Sequence, residues 1–220
     1  DASVVALGMF DGVHIGHQVL LKKAGALARQ HHVPLAVCTF VQHPLTLIAP
    51  QKAPAMLTTL DERAAEMAAL GVDVLYAQPF DKQLMHLPPE EYVGELARRF
   101  HPVAVVCGYN HTFGRNGAGT PALLAALGNA LGFETVTVPQ ITLNGQEVSS
   151  SAIRSALERG QVRRARDDAG QQGAGRRHHG AALVRERVLE GPVGVGGGVA
   201  EVAGEQGRAE VGGQDHHVPL

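Results

Sequence analysis

The stretch Val4-Val5-Ala6-Leu7-Gly8-Met9-Phe10-Asp11-Gly12-Val13-His14-Ile15-Gly16-His17-Gln18 joins a strand to a helix through a glycine-containing turn. An apolar, β-branched run ends at Gly8, a glycine-containing turn follows, and the spacing predicts a helix over 17–30. A strand that feeds a helix through a tight turn is the opening unit of a parallel α/β sheet. The N–H groups at the start of such a helix are unpaired and carry partial positive charge, so the junction is a natural anion site. His14 and His17 are three residues apart and can face one spot above it. Gly16 between them lets a phosphate approach the backbone.

On either side of this junction, strand and helix patterns alternate to about residue 160. Ser3–Leu7, 34–40, 72–77, 103–108 and Glu134–Val138 read as strands. Val19, Leu20, Ala24 and Leu27 mark the apolar face of the first helix. A loop with Pro44, Pro50 and Pro54 follows the second strand. Thr59-Leu60-Asp61-Glu62 has the form of a capping box, for a helix ending at Gly71. Helices are also expected over 88–100, Pro121–Leu131 and 149–159, with a tight hairpin at Asn144-Gly145. In a parallel sheet of this kind, ligands sit outside the carboxyl ends of the strands. That edge gathers 8–17, 39–44, 108–113 and 149–154 around one crevice.

Composition narrows the classes. Nineteen Lys and Arg against 21 Asp and Glu give a formal charge of −2, so charge implies neither a nucleic-acid partner nor an acidic membrane surface. No apolar run reaches the length of a membrane span and no signal peptide opens the chain, so no membrane partner is expected. Cys38 and Cys107 lie in strand-like runs, as small buried hydrophobes, which fits a reducing cytoplasm. The adjacent pairs His31-His32, His178-His179 and His216-His217 lack zinc-ligand spacing, so no protein-held metal is expected. Asp1 stands directly before the first strand, and the natural start is expected upstream of it.

Three further segments carry chemistry. Thr39-Phe40-Val41-Gln42-His43-Pro44-Leu45 puts His43 on the ligand edge, though alone it also fits a turn histidine before a proline. Gly108-Tyr109-Asn110-His111-Thr112-Phe113-Gly114 offers Asn110, a donor and acceptor suited to a phosphate or ribose, and Phe113, a flat apolar ring; an Asx turn with one core Phe has the same pattern. Val148-Ser149-Ser150-Ser151-Ala152-Ile153-Arg154 places serines at a helix start and an arginine in its first turn, which also fits a plain N-cap beside a solvated arginine.

Together with the first stretch, these segments resemble the HxGH nucleotidyltransferase superfamily. The long form Gly-x-Phe-Asp-Gly-Val-His-x-Gly-His-Gln resembles the FAD synthetase (FMN adenylyltransferase) module of bacterial bifunctional riboflavin kinase/FAD synthetases. The resemblance covers residues 3 to 160. It implies a Rossmann-like parallel-sheet domain over 1–160 that uses ATP and FMN, with Mg²⁺ accompanying the ATP, and makes FAD and pyrophosphate. By resemblance, His14, His17 and Arg154 are catalytic. Gly8, Phe10, Asp11, Gly16, Asn110, Ser149, Ser150 and Ser151 bind ATP. His43, Pro44, Thr58 and Phe113 face the flavin. Asp11 either fixes the turn or meets metal-bound water. His111 stands where the family usually has Phe. The alternatives are another HxGH transferase, acting on pantetheine phosphate, nicotinamide mononucleotide or glycerol phosphate, and an inactive nucleotide-binding fragment.

From Arg163 to Leu220 there is no aromatic residue, Ile, Lys, Ser, Thr, Cys, Asn or Met. An irregular or disordered tail is therefore expected over 161–220, without a recognisable riboflavin kinase module. From Ala156 onward every residue has codons that can begin with G or C, the pattern of out-of-frame translation of GC-rich DNA; a natural low-complexity tail is the alternative.

Overall fold

The computed structural model describes residues 1–170, 184–188 and 198–202. The strands are β1 (Ser3–Leu7), β2 (Leu35–Phe40), β3 (Val74–Gln78), β4 (Pro102–Gly108), β5 (Glu134–Val138), β6 (Thr142–Leu143), β7 (Gln146–Glu147), β8 (Val184–Val188) and β9 (Gly198–Val202). The helices are α1 (Ile15–His31), α2 (Leu45–Ile48), α3 (Leu60–Ala69), α4 (Lys82–His86), α5 (Pro89–Phe100), α6 (Pro121–Leu131), α7 (Ser150–Glu158) and α8 (Val162–Asp168). Five strands pair in parallel in the order β3-β2-β1-β4-β5. The order reverses between β1 and β4, and the crevice outside their carboxyl ends is where such sheets bind ligands.

Strand alternation divides the core into two layers. Val4, Ala6 and Val37 point to one face with Leu21 and Ala24 of α1 and Met67 of α3. Val5, Leu7, Cys38 and Cys107 point to the other, with Val93 of α5, Leu124 of α6 and Phe133. Both cysteines are buried free thiols, and burial raises the Cys107 pKa to about 11. With both faces covered, the central strands β1, β2 and β4 are nearly all-apolar, whereas the edge strand β5 alternates with polar residues.

Helix boundaries follow local capping. α1 begins at Ile15, two residues before the predicted start, because His14 serves as its N-cap. The Thr59–Glu62 capping box forms as expected. Asn144 (φ 53°) and Gly145 (φ 73°) make the tight turn of the β6–β7 hairpin. The proline-rich loop contains α2 and a 3₁₀ turn, Pro50–Lys52, where only loop was expected.

α8 lies beyond the boundary expected at residue 160. Its Ala165 packs on Ile153 and Ala156 of α7, with Leu57 alongside. Two parts of the tail are strands: β9 pairs antiparallel with β3, and β8 with β9. The Val-Arg-Glu-Arg-Val stretch of β8 has the period-two pattern of a strand, and β3 would otherwise present an open edge. The pairs His178-His179 and His216-His217 lie outside the described residues.

Candidate active site

The turn between β1 and α1 is strained and heavily tied down. Phe10 (φ 52°) and Val13 (φ 34°), both fully buried, adopt left-handed backbone without being glycine. Such conformations persist only when their surroundings over-determine them. Thr39 Oγ1 donates to Met9 O at 2.9 Å, Ser150 Oγ to Asp11 O at 2.9 Å, and Gln18 Nε2 to Val13 O at 3.0 Å. Gly12 N donates to Thr58 Oγ1 at 3.0 Å. Four separate parts of the chain thus hold one turn.

Asp11 is the centre of this arrangement and is only 1 % exposed. Its Oδ1 accepts the N–H groups of Leu57 (2.8 Å) and Thr58 (3.2 Å), and its Oδ2 pairs with the Arg154 guanidinium. Arg154 Nε donates to Ala55 O at 2.7 Å. Of the two roles open to Asp11, the geometry favours fixing the turn, since both carboxylate oxygens are engaged. Arg154 closes the ring that joins α7, the 55–58 segment and the β1–α1 turn.

His14 and His17 stack, with ring centroids 3.6 Å apart. His14 Nδ1 accepts the His17 N–H at 3.4 Å, which leaves the proton of the neutral ring on Nε2. Burial pushes the His14 pKa down to about 4, against the opposing charge of Asp11. Burial also holds His17 well below its ordinary value, and His14 pushes it the same way. A Cβ on Gly16 would lie 3.1 Å from the His14 ring, so a residue with no side chain lets that imidazole lie flat. His43 Nδ1 accepts the Leu45 N–H at 3.1 Å, so it too carries its proton on Nε2. Its pKa is lowered by burial and by Arg154, against Asp11.

These groups surround a crevice of about 420 Å³ at the carboxyl ends of the strands. Its lining includes Gly8, Phe10, Asp11, His14, Gly16, His17, His43, Pro44, Asn110, Ser149, Ser150, Ser151 and Arg154. The N-termini of α1 and α7 both open onto it. The three serines differ. Ser149 caps α7 by accepting the Ala152 N–H, Ser150 is tied to Asp11 O, and Ser151 is exposed.

Two expected flavin contacts are not on the crevice wall. Thr58 instead supports Gly12 and Asp11. Phe113 is a core residue, 6 % exposed, packed at 5.3 Å from the Tyr92 ring. The loop carrying it is pressed on α5: Gly114 has φ 70°, and a Cβ there would lie 2.7 Å from Pro89 Cα. His111 lies in the lining, its ring parallel to Phe113 at 5.9 Å. Its Nε2 is buried without a partner, and burial lowers its pKa to about 4. A neutral imidazole thus occupies a slot suited to an aromatic ring.

Sequence reading missed Arg63. Its guanidinium reaches the carbonyls at the ends of β1 and β2. The available signal was its place on the α3 stripe of Leu60, Arg63, Ala64 and Met67, where a cation interrupts an apolar face.

A family model described as FAD synthetase matches residues 1–152. The bifunctional riboflavin kinase/FMN adenylyltransferase of Listeria monocytogenes is 36% identical over 163 residues, 74% of this chain and 52% of that protein. The Bacillus subtilis protein of the same name is 33% identical over 162 residues, covering 73% and 51%. The chain spans about half the length of these relatives. Among solved structures, a Streptococcus pneumoniae protein described as a macrolide-efflux protein superposes with a TM-score of 0.69 at 30% identity, over 77% of this chain and 55% of that one.

Proposed function

The chain belongs to the FAD synthetase family, and from that premise we propose that it is an FMN adenylyltransferase, joining FMN and ATP into FAD and releasing pyrophosphate. The observation that carries the reading is the convergence of two helix N-termini, a stacked histidine pair and Asn110 on one crevice. An FMN phosphate oxygen attacks the α-phosphorus of ATP, and the bond from that phosphorus to the pyrophosphate oxygen breaks. No covalent link to the protein is needed, so catalysis is positioning and charge stabilisation.

In this reading the triphosphate lies across the starts of α1 and α7. His14 donates from Nε2, His17 adds a second imidazole, and Ser151 and Asn110 orient the phosphates. Ser149, Ser150, Asp11 and Arg154 keep the two helix ends and the turn in register. His43 and Pro44, at the end of β2, lie on the side assigned to FMN. Gly8 and Phe10 shape the floor. Mg²⁺ would arrive with the nucleotide and would supply charge neutralisation there, since each Asp11 oxygen already has a protein partner.

The efflux description of the Streptococcus pneumoniae protein is not carried over. Among the described residues no helix is long and apolar enough to cross a membrane. The cytoplasm, where ATP and FMN are at hand and thiols such as Cys38 and Cys107 stay reduced, is the proposed place of work.

The acceptor is the point to test. The chain, given ATP and Mg²⁺, is offered FMN, nicotinamide mononucleotide, pantetheine phosphate and glycerol phosphate in competition. FAD is the expected adenylylated product. Preference for any other acceptor overturns the assignment.

A further inference from the structure

We propose that Arg63 is a positioning residue that sets the spacing between the two substrate sides of the crevice; this rests on the adenylyltransferase reading above. The side chain is 1 % exposed and absent from the crevice lining, so it does not touch substrate. Its Nη1 donates to Met9 O (3.1 Å) and Phe40 O (3.0 Å), with Thr39 Oγ1 at 3.4 Å, and its Nη2 donates to Val41 O (3.1 Å). None of the ion pairs among the described residues includes it. A guanidinium buried this deeply carries a large desolvation cost, which the backbone carbonyls and the charge of Asp11 offset only in part: burial still lowers its pKa, and its Nε has no partner.

The choice of carbonyls gives the role. Met9 O begins the strained turn that ends in His14, on the triphosphate side. Phe40 O ends β2 and Val41 O follows it, leading to His43 on the flavin side. The β1–β2 ladder pairs no further than Leu7 and Cys38, and beyond it the gap between the two loops is held by Thr39 Oγ1 on Met9 O and by the Arg63 guanidinium. A rigid planar fork with donors on both sides fixes it. Transfer joins an atom from one side to an atom from the other. An error in that gap therefore changes the reacting distance more than either substrate's own contacts.

The test uses the full chain and the variants Arg63→Met and Arg63→Lys. Melting curves, kcat and KM for both substrates, and ligand-free amide exchange are measured. In folded Arg63→Met, kcat should fall about tenfold to a hundredfold, as expected for misplacement near an ångström, with KM for ATP little changed. Exchange should quicken at Gly12, Val13 and Val41 while β4 and β5 keep their protection. Arg63→Lys, with one cation but no fork, should be intermediate. The proposal is overturned by wild-type kcat in folded Arg63→Met, by a rate loss equal to the loss of folded protein, or by exchange that changes evenly across the sheet. Should Arg63→Met fail to fold, Arg63→Lys decides: a lower kcat at steady KM supports the fork, and wild-type kinetics overturn it. A wild-type chain that makes no FAD sinks the functional reading instead, and the exchange results then decide the coupling of the loops by the same outcomes.

Discussion

Two imidazoles stacked at 3.6 Å do not both hold an extra proton, because like charges at that distance repel strongly. In the free protein His14 and His17 are neutral, and His14 is a fixed donor through Nε2. Developing charge on the transferred phosphoryl group is where such donors count, each typically by a few kcal/mol. His17→Ala should therefore lower FAD formation about tenfold or more while FMN binding persists. Wild-type turnover with the fold intact would remove His17 from the catalytic set. Burial of neutral histidines also makes stability depend on pH. His14 and His111 titrate near 4 when folded, against 6.5 when exposed. Between those values the unfolded chain binds more protons, so stability falls as pH falls, by about 1 kcal/mol per pH unit for each histidine. Melting temperature should drop from pH 7 towards pH 5, and His111→Phe should flatten the slope. An identical slope in that variant would show that the His111 ring takes up its proton as readily when folded.

Helix α3 links capping to the site, because it carries Arg63 one turn after its N-terminus. Thr59 accepts the Glu62 N–H, and the Glu62 carboxylate accepts the Thr59 N–H at 2.8 Å. Thr59→Ala should cost about 1 kcal/mol, and its catalytic loss should resemble a weak Arg63 variant, with kcat reduced more than KM. A stability loss with unchanged kcat would separate the cap from the site. The elements also show what a sequence discloses. β1 to β5, the capping box and the Asn144-Gly145 hairpin were legible because periodicity and turn chemistry act locally. The start of α1 was misplaced because a histidine does the work of a serine or aspartate cap. α2, α4 and α8 were missed because they are short. α8 is also arginine-rich, and only packing on α7 reveals which face is buried. In the site, the ends of the strands located the crevice, whereas the parts of Thr58, Phe113 and Arg63 depend on contacts between segments far apart in the chain.

At the scale of the molecule, the site is braced from beyond its motifs. Gln18 of α1 donates to both Val13 O and Ala169 O, so the end of α8 is tied to the strained turn. Ala165 completes the small cluster that seats Ile153, beside Arg154. Cutting the chain after Arg163 removes both supports; cutting after Gly170 keeps them. The longer truncation product should melt several degrees higher and hold protected amides through α7, since about 1 kcal/mol moves the midpoint of a domain this size by a few degrees. Equal melting of the two products would show that α8 does not brace the site. In the proposed reaction this crevice moves the adenylyl group of ATP, with its α-phosphorus, to FMN. Parallel incubations with FMN, Mg²⁺ and ATP labelled on either the α- or the γ-phosphorus test it most directly. Label should enter FAD from the α position alone, with the γ label leaving in pyrophosphate. Folded protein that puts no α label into a flavin product, or that transfers the γ label to flavin, would contradict it.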